Sequence, residues 1–361
     1  MFKNQLLIWL ISLLFISCST SLSEYFNKKE ETGQRNEELI KSFEGEEDVF
    51  KKFKEEVKIE VKEVQAVPNT KITSKKSLKK VKSKTSKIKK VIKKKTKLIP
   101  KIIVKKSKYP EDFPEEYKKI DKASQSFWSS FKPRVFEGEE IYMDINYGGL
   151  STGKVALTTM PRTKLGDVDV YHFHARVKTS SYYSYLYELD DNIDSYVDSK
   201  TFTPVKYSMI QRESGQNIDD LQLFDKDDLK TYTFYKRETK KKTKKNKMTR
   251  MTPIRFQDPL SILYFLRGLP FKIGKDYNVP LMNKGKVLML NARAEKIEKI
   301  TTEIGSLDAI KVIASTQYTG ETLKSGDMTF WFSSDERRIF LKFEAKIKIG
   351  SISGEIEKYE R

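Results

Sequence analysis

The sequence predicts a mainly β protein: a curved antiparallel sheet, or half-open barrel, packed on one buried central helix and preceded by an amphipathic helix. Three observations carry this. From Gly138 to Tyr359, apolar residues recur at every second position in about a dozen short runs separated by Gly, Asp and Ser turns. Within that region only Asp258–Gly268 has strong helical character. Ahead of it, Tyr117, Ile120, Ala123, Phe127 and Phe131 recur at three- and four-residue spacing, the mark of an amphipathic helix, which Pro133 ends.

Asp258 is suited to cap the central helix, because its carboxylate accepts a bond from an orphan N–H of the first turn. Pro259 loses nothing at the first helical position. Gly268 is expected to end the helix in the left-handed conformation, and Pro270 forbids its resumption. Leu260, Ile262, Leu263, Tyr264, Phe265 and Leu266 leave almost no polar face. Such a helix has to be buried on most sides, so it serves as the plug on which the sheet closes.

The strands follow in order. Ile141, Met143, Ile145 and Tyr147 alternate with polar partners up to Gly148-Gly149, and Val155 and Leu157 begin the return after Gly153. In the run from Val168 to Lys178, Tyr171, Phe173, Ala175 and Val177 share one face, with His172, His174 and Arg176 on the other. A tyrosine cluster comes next, Tyr182, Tyr183, Tyr185 and Tyr187, in a short helical turn. Further strands are read at 192–199, 204–211, 217–224, 229–235, 277–281, 286–297, 309–318, 328–332, 339–349 and 351–359. An antiparallel sheet with one polar face curls around something, either core or an apolar ligand. Leu263, Tyr264, Leu266, Tyr182, Tyr183, Tyr185 and Tyr187 are the candidate pocket residues. The tyrosines would each offer a ring to pack and a hydroxyl to orient a headgroup.

Charge divides the chain. The net +20 comes from 70 Lys+Arg against 50 Asp+Glu. Eighteen lysines lie between Lys71 and Lys108, and Lys236–Arg250 holds nine basic residues against Glu238 alone. Subtracting both segments from +20 leaves about −6, so the basic balance belongs to two local stretches. Nucleic acid is excluded as the expected partner, because the lysine tract has no interleaved aromatics for stacking.

The N-terminus has the form of a signal peptide: Lys3, then an apolar run from Leu6 to Ile16, too short to span a bilayer. Leu14-Phe15-Ile16-Ser17-Cys18 resembles the bacterial lipobox, with Phe15 departing from the usual leucine. Cys18, the only cysteine, is the predicted lipidation site, acylated by palmitate or a similar fatty acid. The domains expected are residues 1–17, the lipoprotein signal peptide; 18–64, a lipid-anchored polar stalk; 65–108, a Lys-rich disordered linker; and 109–361, the β-rich globular domain. Leu39, Ile40, Phe43, Phe50, Phe53, Val57 and Val61 give the stalk weak helical spacing, interrupted by Gly45, as in a partly ordered stalk or a helix on a partner. The expected location is the cell envelope, at the outer membrane facing the periplasm.

These features resemble the domain of unknown function 3108 family of exported bacterial proteins, over about residues 136–359. The likeness rests on Gly138-Glu139-Glu140-Ile141-Tyr142 opening the first strand, Gly153 opening the second, and the helix from Asp258 to Arg267. Trp331-Phe332-Ser333-Ser334-Asp335-Glu336-Arg337-Arg338 and Gly350-Ser351 resemble the family's late turn and final hairpin. The resemblance implies an exported β-rich fold and no particular activity. In outline the fold is also similar to periplasmic lipoprotein carriers.

No catalytic constellation, metal site or cofactor motif is read from the chain. His172 and His174 are the only histidines and lack an evident carboxylate partner, so hydrogen-bonded or solvent-facing roles are expected. Asp225, Asp227 and Asp228 fit turn chemistry. The leading function is therefore a non-enzymatic periplasmic binding or carrier module for a lipid or other apolar ligand. The alternative is a structural envelope protein whose Lys71–Lys108 tract grips anionic cell-wall or lipid surfaces; an unrecognised hydrolase is third.

Overall fold

The computed structural model describes residues 32–43, 46–55, 108–182, 184–318, 324–346 and 350–361. Cys18, Tyr183 and the lysine tract up to residue 107 lie outside them. The described residues up to 55 and those from 109 onward belong to one compact body.

Fourteen strands form a single antiparallel sheet. They are β1 Glu140–Tyr147, β2 Leu150–Leu165, β3 Val168–Thr179, β4 Asp190–Asp198, β5 Pro204–Glu213, β6 Gln216–Asp225 and β7 Lys230–Thr239. Then come β8 Thr243–Met251, β9 Asp276–Asn283, β10 Lys286–Thr302, β11 Gly305–Tyr318, β12 Lys324–Ser333, β13 Phe340–Lys346 and β14 Ser351–Glu360. The spatial order is β8-β7-β6-β5-β4-β3-β2-β1-β14-β13-β12-β11-β10-β9, so the chain closes on itself at β1 and β14, and β8 and β9 are the edges. The sheet curls until its edges approach without pairing. The Lys284 N–H at the β9–β10 turn donates to Gln222 Oε1 on β6 at 2.9 Å. The segment after β8 fills the gap: the Gln257 N–H donates to Pro280 O, and the Met282 N–H to Gln257 O, both at 2.8 Å.

The helices are α1 Thr32–Lys41, α2 Glu47–Lys51, α3 Glu115–Trp128 and α4 Ser261–Gly268. As predicted, α4 is the plug inside the curl, and every residue of it except Leu263 is buried. Its start differs in detail. The helix begins at Ser261, yet Asp258 Oδ1 still accepts from the N–H groups of Leu260 and Ser261 at 2.9 and 2.8 Å. Gly268 does not take the left-handed conformation; it is the last helical residue, and Leu269 beyond it is extended. A Cβ there would sit 2.2 Å from a Phe131 ring carbon, so the glycine is required by close packing. The aromatic rings of Phe127, Trp128 and Phe131, in and just after α3, lie 6.5, 4.3 and 4.5 Å from the Phe265 ring, covering the plug from outside the sheet's gap.

A second core lies on the opposite face of the sheet. Within the stretch read as a stalk, α1 and α2 bring Leu39, Ile40, Phe50 and Phe53 onto Leu165, Val170, Tyr196, Val205, Leu221, Leu223 and Phe234. Polar links add register: Ser208 Oγ donates to Asn36 Oδ1 at 2.8 Å, and Lys52 Nζ lies 2.9 Å from Asp225. The apolar residues of α1 and α2 thus have a partner within the chain itself. Glu55 and Tyr109, which flank the lysine segment in sequence, both belong to this body.

Candidate functional site

The inner faces of the strands and one side of α4 enclose a cavity of about 100 Å³. Met143, Val155, Leu157, Ala175, Val177 and Ile193 line it from β1–β4, and Leu281, Leu290, Met328, Phe330, Phe340 and Phe343 from β9–β13. Pro259, Ile262, Leu263 and Leu266 form its floor. Every lining side chain is apolar. These residues face inward because strand alternation puts them on the helix side, and the cavity survives because α4 is too short to fill the curl. One further device shapes it: Gly354 lies opposite Phe343, where a Cβ would be 2.1 Å from the Phe343 ring, so the ring lies across β14.

With no polar group in its wall, the cavity offers no acid, base or ligand for a metal. It favours hydrocarbon over water. It falls short of the ~300–1,000 Å³ of a site that holds a whole small molecule and suits a short length of apolar chain.

The predicted site residues separate. Leu263 and Leu266 line the cavity, Leu263 half-buried and Leu266 buried. Tyr264 does not: it faces β3, stacked on Phe173 with ring centroids 3.7 Å apart. At about 100° per residue Ile262, Leu263 and Leu266 fall within one arc of the helix, which faces the cavity, and Tyr264 falls outside it. Tyr182 and Tyr185 are exposed at 59% and 75%, outside the cavity, because the segment after β3 is a surface loop. Tyr187 donates its hydroxyl to Glu213 at 2.8 Å. Some lining strand residues, Met143 and Ala175 among them, were legible by alternation as sharing one strand face but not as cavity walls.

Two charged groups hold the plug. Arg267 and Glu139 form a buried bidentate pair at 2.5 and 2.8 Å, and Arg267 also donates to Arg337 O at 3.0 Å. Tyr359 adds a hydroxyl to Glu139 at 3.2 Å, so the helix, the residue just ahead of β1, the late turn and the last strand meet at one point. Asp258 accepts from Ser195 Oγ at 2.5 Å; burial pushes its carboxyl up to about 6 against the hydrogen bonds that favour its charge.

Strand alternation also separates three carboxylates of β4, Asp190, Asp191 and Asp194. Asp190 pairs with Arg176, whose Nη2 lies 2.7 Å away. Asp191 faces inward beside Glu213, both bonded by Gln211 Nε2, and burial together with the Glu213 charge pushes Asp191 up to about 8. Asp194 faces outward and supplies the histidine partner that the sequence did not reveal. His172 Nε2 and His174 Nδ1 lie 2.6 and 2.9 Å from the same Asp194 Oδ1. Burial alone would raise that carboxyl, but the two histidines outweigh it and hold it well below its ordinary range. The carboxylate lies directly across from His174 on β4, twenty residues on, a register that only strand pairing sets. Among the described residues no group of three or more His, Cys, Asp or Glu is placed to hold a metal ion. Asp225 Oδ1 accepts from the Asp227 and Asp228 N–H groups at 3.0 and 3.2 Å, a turn of the kind predicted.

Among the described residues no helix is long and apolar enough to cross a membrane. No curated protein matches the chain. Solved structures resemble it at low identity. One is a beta-barrel-like protein of the domain of unknown function DUF1849 from Brucella abortus, at 12% identity and TM-score 0.41, covering 63% of this chain and 98% of that one. Another, from Bacteroides fragilis, is described as an exported protein with a YmcC-like fold, at 10% and 0.30, covering 64% and 99%. A third, from Parabacteroides distasonis, is described as a lipoprotein, at 12% and 0.29, covering 64% and 99%. Likenesses this distant carry no inference about activity. The family model of the protein of unknown function DUF3108 matches residues 143–357, well over half of the sequence. The chain belongs to the DUF3108 family.

Proposed function

We propose that this is an envelope-anchored, non-enzymatic binding module that takes the end of an apolar chain, such as a lipid tail, between its curled sheet and central helix. The observation that carries the reading is the wholly apolar cavity on the concave side, floored by Leu263 and Leu266. A hydrocarbon segment placed there gains about 0.8 kcal/mol per buried methylene, with no polar group left unpaired. The anchor is Cys18, and its connection to the body is the segment ahead of Thr32. Thr32 to Glu55, ahead of the lysine tract in sequence, already belong to the body, so the tract is not the connection between anchor and body. Its eighteen lysines serve instead to hold anionic lipid or cell-wall polymer.

Lipid extraction and native mass spectrometry of the purified protein test the reading. An apolar ligand should co-purify, and Leu263→Ala should change its amount or identity. A ligand-free protein that binds no apolar probe would refute it. Cys18→Ser should abolish uptake of labelled fatty acid and release the protein from the membrane fraction; an unchanged distribution would remove the anchor.

A further inference from the structure

All odd-numbered strands run toward the same end of the sheet, because every neighbouring pair is antiparallel. The turns after β1, β3, β5, β7, β9, β11 and β13 therefore gather at one end. Six large apolar residues are exposed among the described residues, and four of them sit there. Leu150 is 58% exposed at the β1–β2 turn; Tyr182, Tyr185 and Leu186 are 59%, 75% and 59% exposed in the β3–β4 loop. Gly153 pairs with Thr179, so Leu150 and this loop extend past the same end of adjacent strands. Val177 and Met328, the two cavity-lining strand residues that are only half-buried, lie in the halves of β3 and β12 nearest this end. The cavity thus opens toward the exposed apolar rim.

The same end is basic. Lys240, Lys241 and Lys242 form the exposed β7–β8 turn, and Lys244, Lys245 and Lys247 continue along β8. Lys236 lies opposite Lys245, and Arg237 opposite Lys244. Glu238 pairs with Lys236 and Glu46 with Lys247, so the charge this end presents to a surface is chiefly that of the turn lysines Lys240, Lys241 and Lys242. The β3–β4 loop itself carries one exposed carboxylate, Glu188.

We propose that this end docks on an anionic phospholipid bilayer. Leu150, Tyr182, Tyr185 and Leu186 enter the headgroup–acyl boundary, and the β7–β8 lysines contact lipid phosphates. Tyrosine suits this layer because its ring is apolar and its hydroxyl wet, and lysine keeps its charge in the headgroups while burying its stem. The membrane-facing rim then lies at the mouth of the cavity, giving a lipid tail a path that avoids bulk water. The purpose of the surface rests on the apolar-ligand reading above; its existence is tested separately.

The full chain carrying Cys18→Ser and Tyr185→Cys offers one thiol for an environment-sensitive nitrobenzoxadiazole label, because Cys18 is the only native cysteine. Ile297→Cys, exposed on β10 away from the rim, serves as the control position. On adding phosphatidylcholine vesicles containing phosphatidylglycerol, the label at 185 should brighten several-fold, shift to the blue and be quenched by spin-labelled lipid. The label at 297 should not change. Lys240→Gln, Lys241→Gln and Lys242→Gln together should weaken the response on anionic vesicles. No response at 185, or an equal one at 297, overturns the proposal. So does a response without vesicles that grows with protein concentration, which would make this end a self-association surface. Repeating the measurement with Ala175→Leu, which fills the cavity, separates the readings. A persisting response with lost lipid extraction leaves the rim standing, and a lost response with retained lipid leaves only the cavity.

Discussion

Ala175→Leu is the sharpest test of whether the space under α4 is open in the ligand-free protein. Ala175 is 2% exposed on β3, and its methyl faces the cavity. A cavity of about 100 Å³ represents a deficit of ~2.4 kcal/mol at ~24 cal/mol per Å³. Leucine adds three carbons, worth ~2.4 kcal/mol at ~0.8 kcal/mol each when fully buried. The two figures are of the same order, as expected if the added side chain occupies the space. Imperfect rotamer fit takes back part of the gain, leaving a stabilisation of ~1–2 kcal/mol in the delipidated protein. Urea unfolding monitored by tryptophan fluorescence measures it, as a raised midpoint at unchanged slope. The same variant should lose binding of an apolar fluorescent probe. A destabilisation above ~1 kcal/mol together with undiminished probe binding would refute the reasoning, because the leucine would then be displacing packed core.

Arg267→Met should cost ~3–5 kcal/mol, since it strands the buried Glu139 carboxylate; adding Glu139→Leu should recover much of that loss in a double-mutant cycle. Phe53→Ala should cost ~3–5 kcal/mol and expose α1 and α2 to protease if the outer core is integral to the body; a change below ~1 kcal/mol would mean that the segment rests loosely on it. Stability should fall as pH rises through the acid-to-neutral range. Asp191 and Asp258 have folded pKa values, about 8 and about 6, raised above their unfolded ones, so the folded state binds more protons and loses that advantage up to each value. Between pH 6 and 8 Asp191 goes on titrating and contributes a drop of ~2–3 kcal/mol at ~1.4 kcal/mol per unit, and Asp191→Asn should remove that contribution to the slope whatever its effect on absolute stability.

The sequence by itself determined the periodic features. Alternation located nearly every strand, and in β1 and β3 it also set out the residues of one face, because a strand buried on one face writes that face at every second position. The α4 plug was equally legible, since a segment apolar all round has no other place to go. One strand was missed: β8, Thr243–Met251, is largely exposed on both faces, so its sequence carries lysines and no apolar rhythm. Its strand identity comes only from pairing with β7. Tertiary structure decided the rest. Asp194 meets His172 and His174 through strand register, and Glu139 meets Arg267 across more than a hundred residues, contacts that no local pattern encodes. The helices at 32–51 face the sheet because apolar residues at helical spacing show that a helix needs a partner without saying which one. Cavity and filled core are lined by the same residue types; what separates them is the length of α4 against the width of the curl, a difference of volume that exists only once the chain has folded.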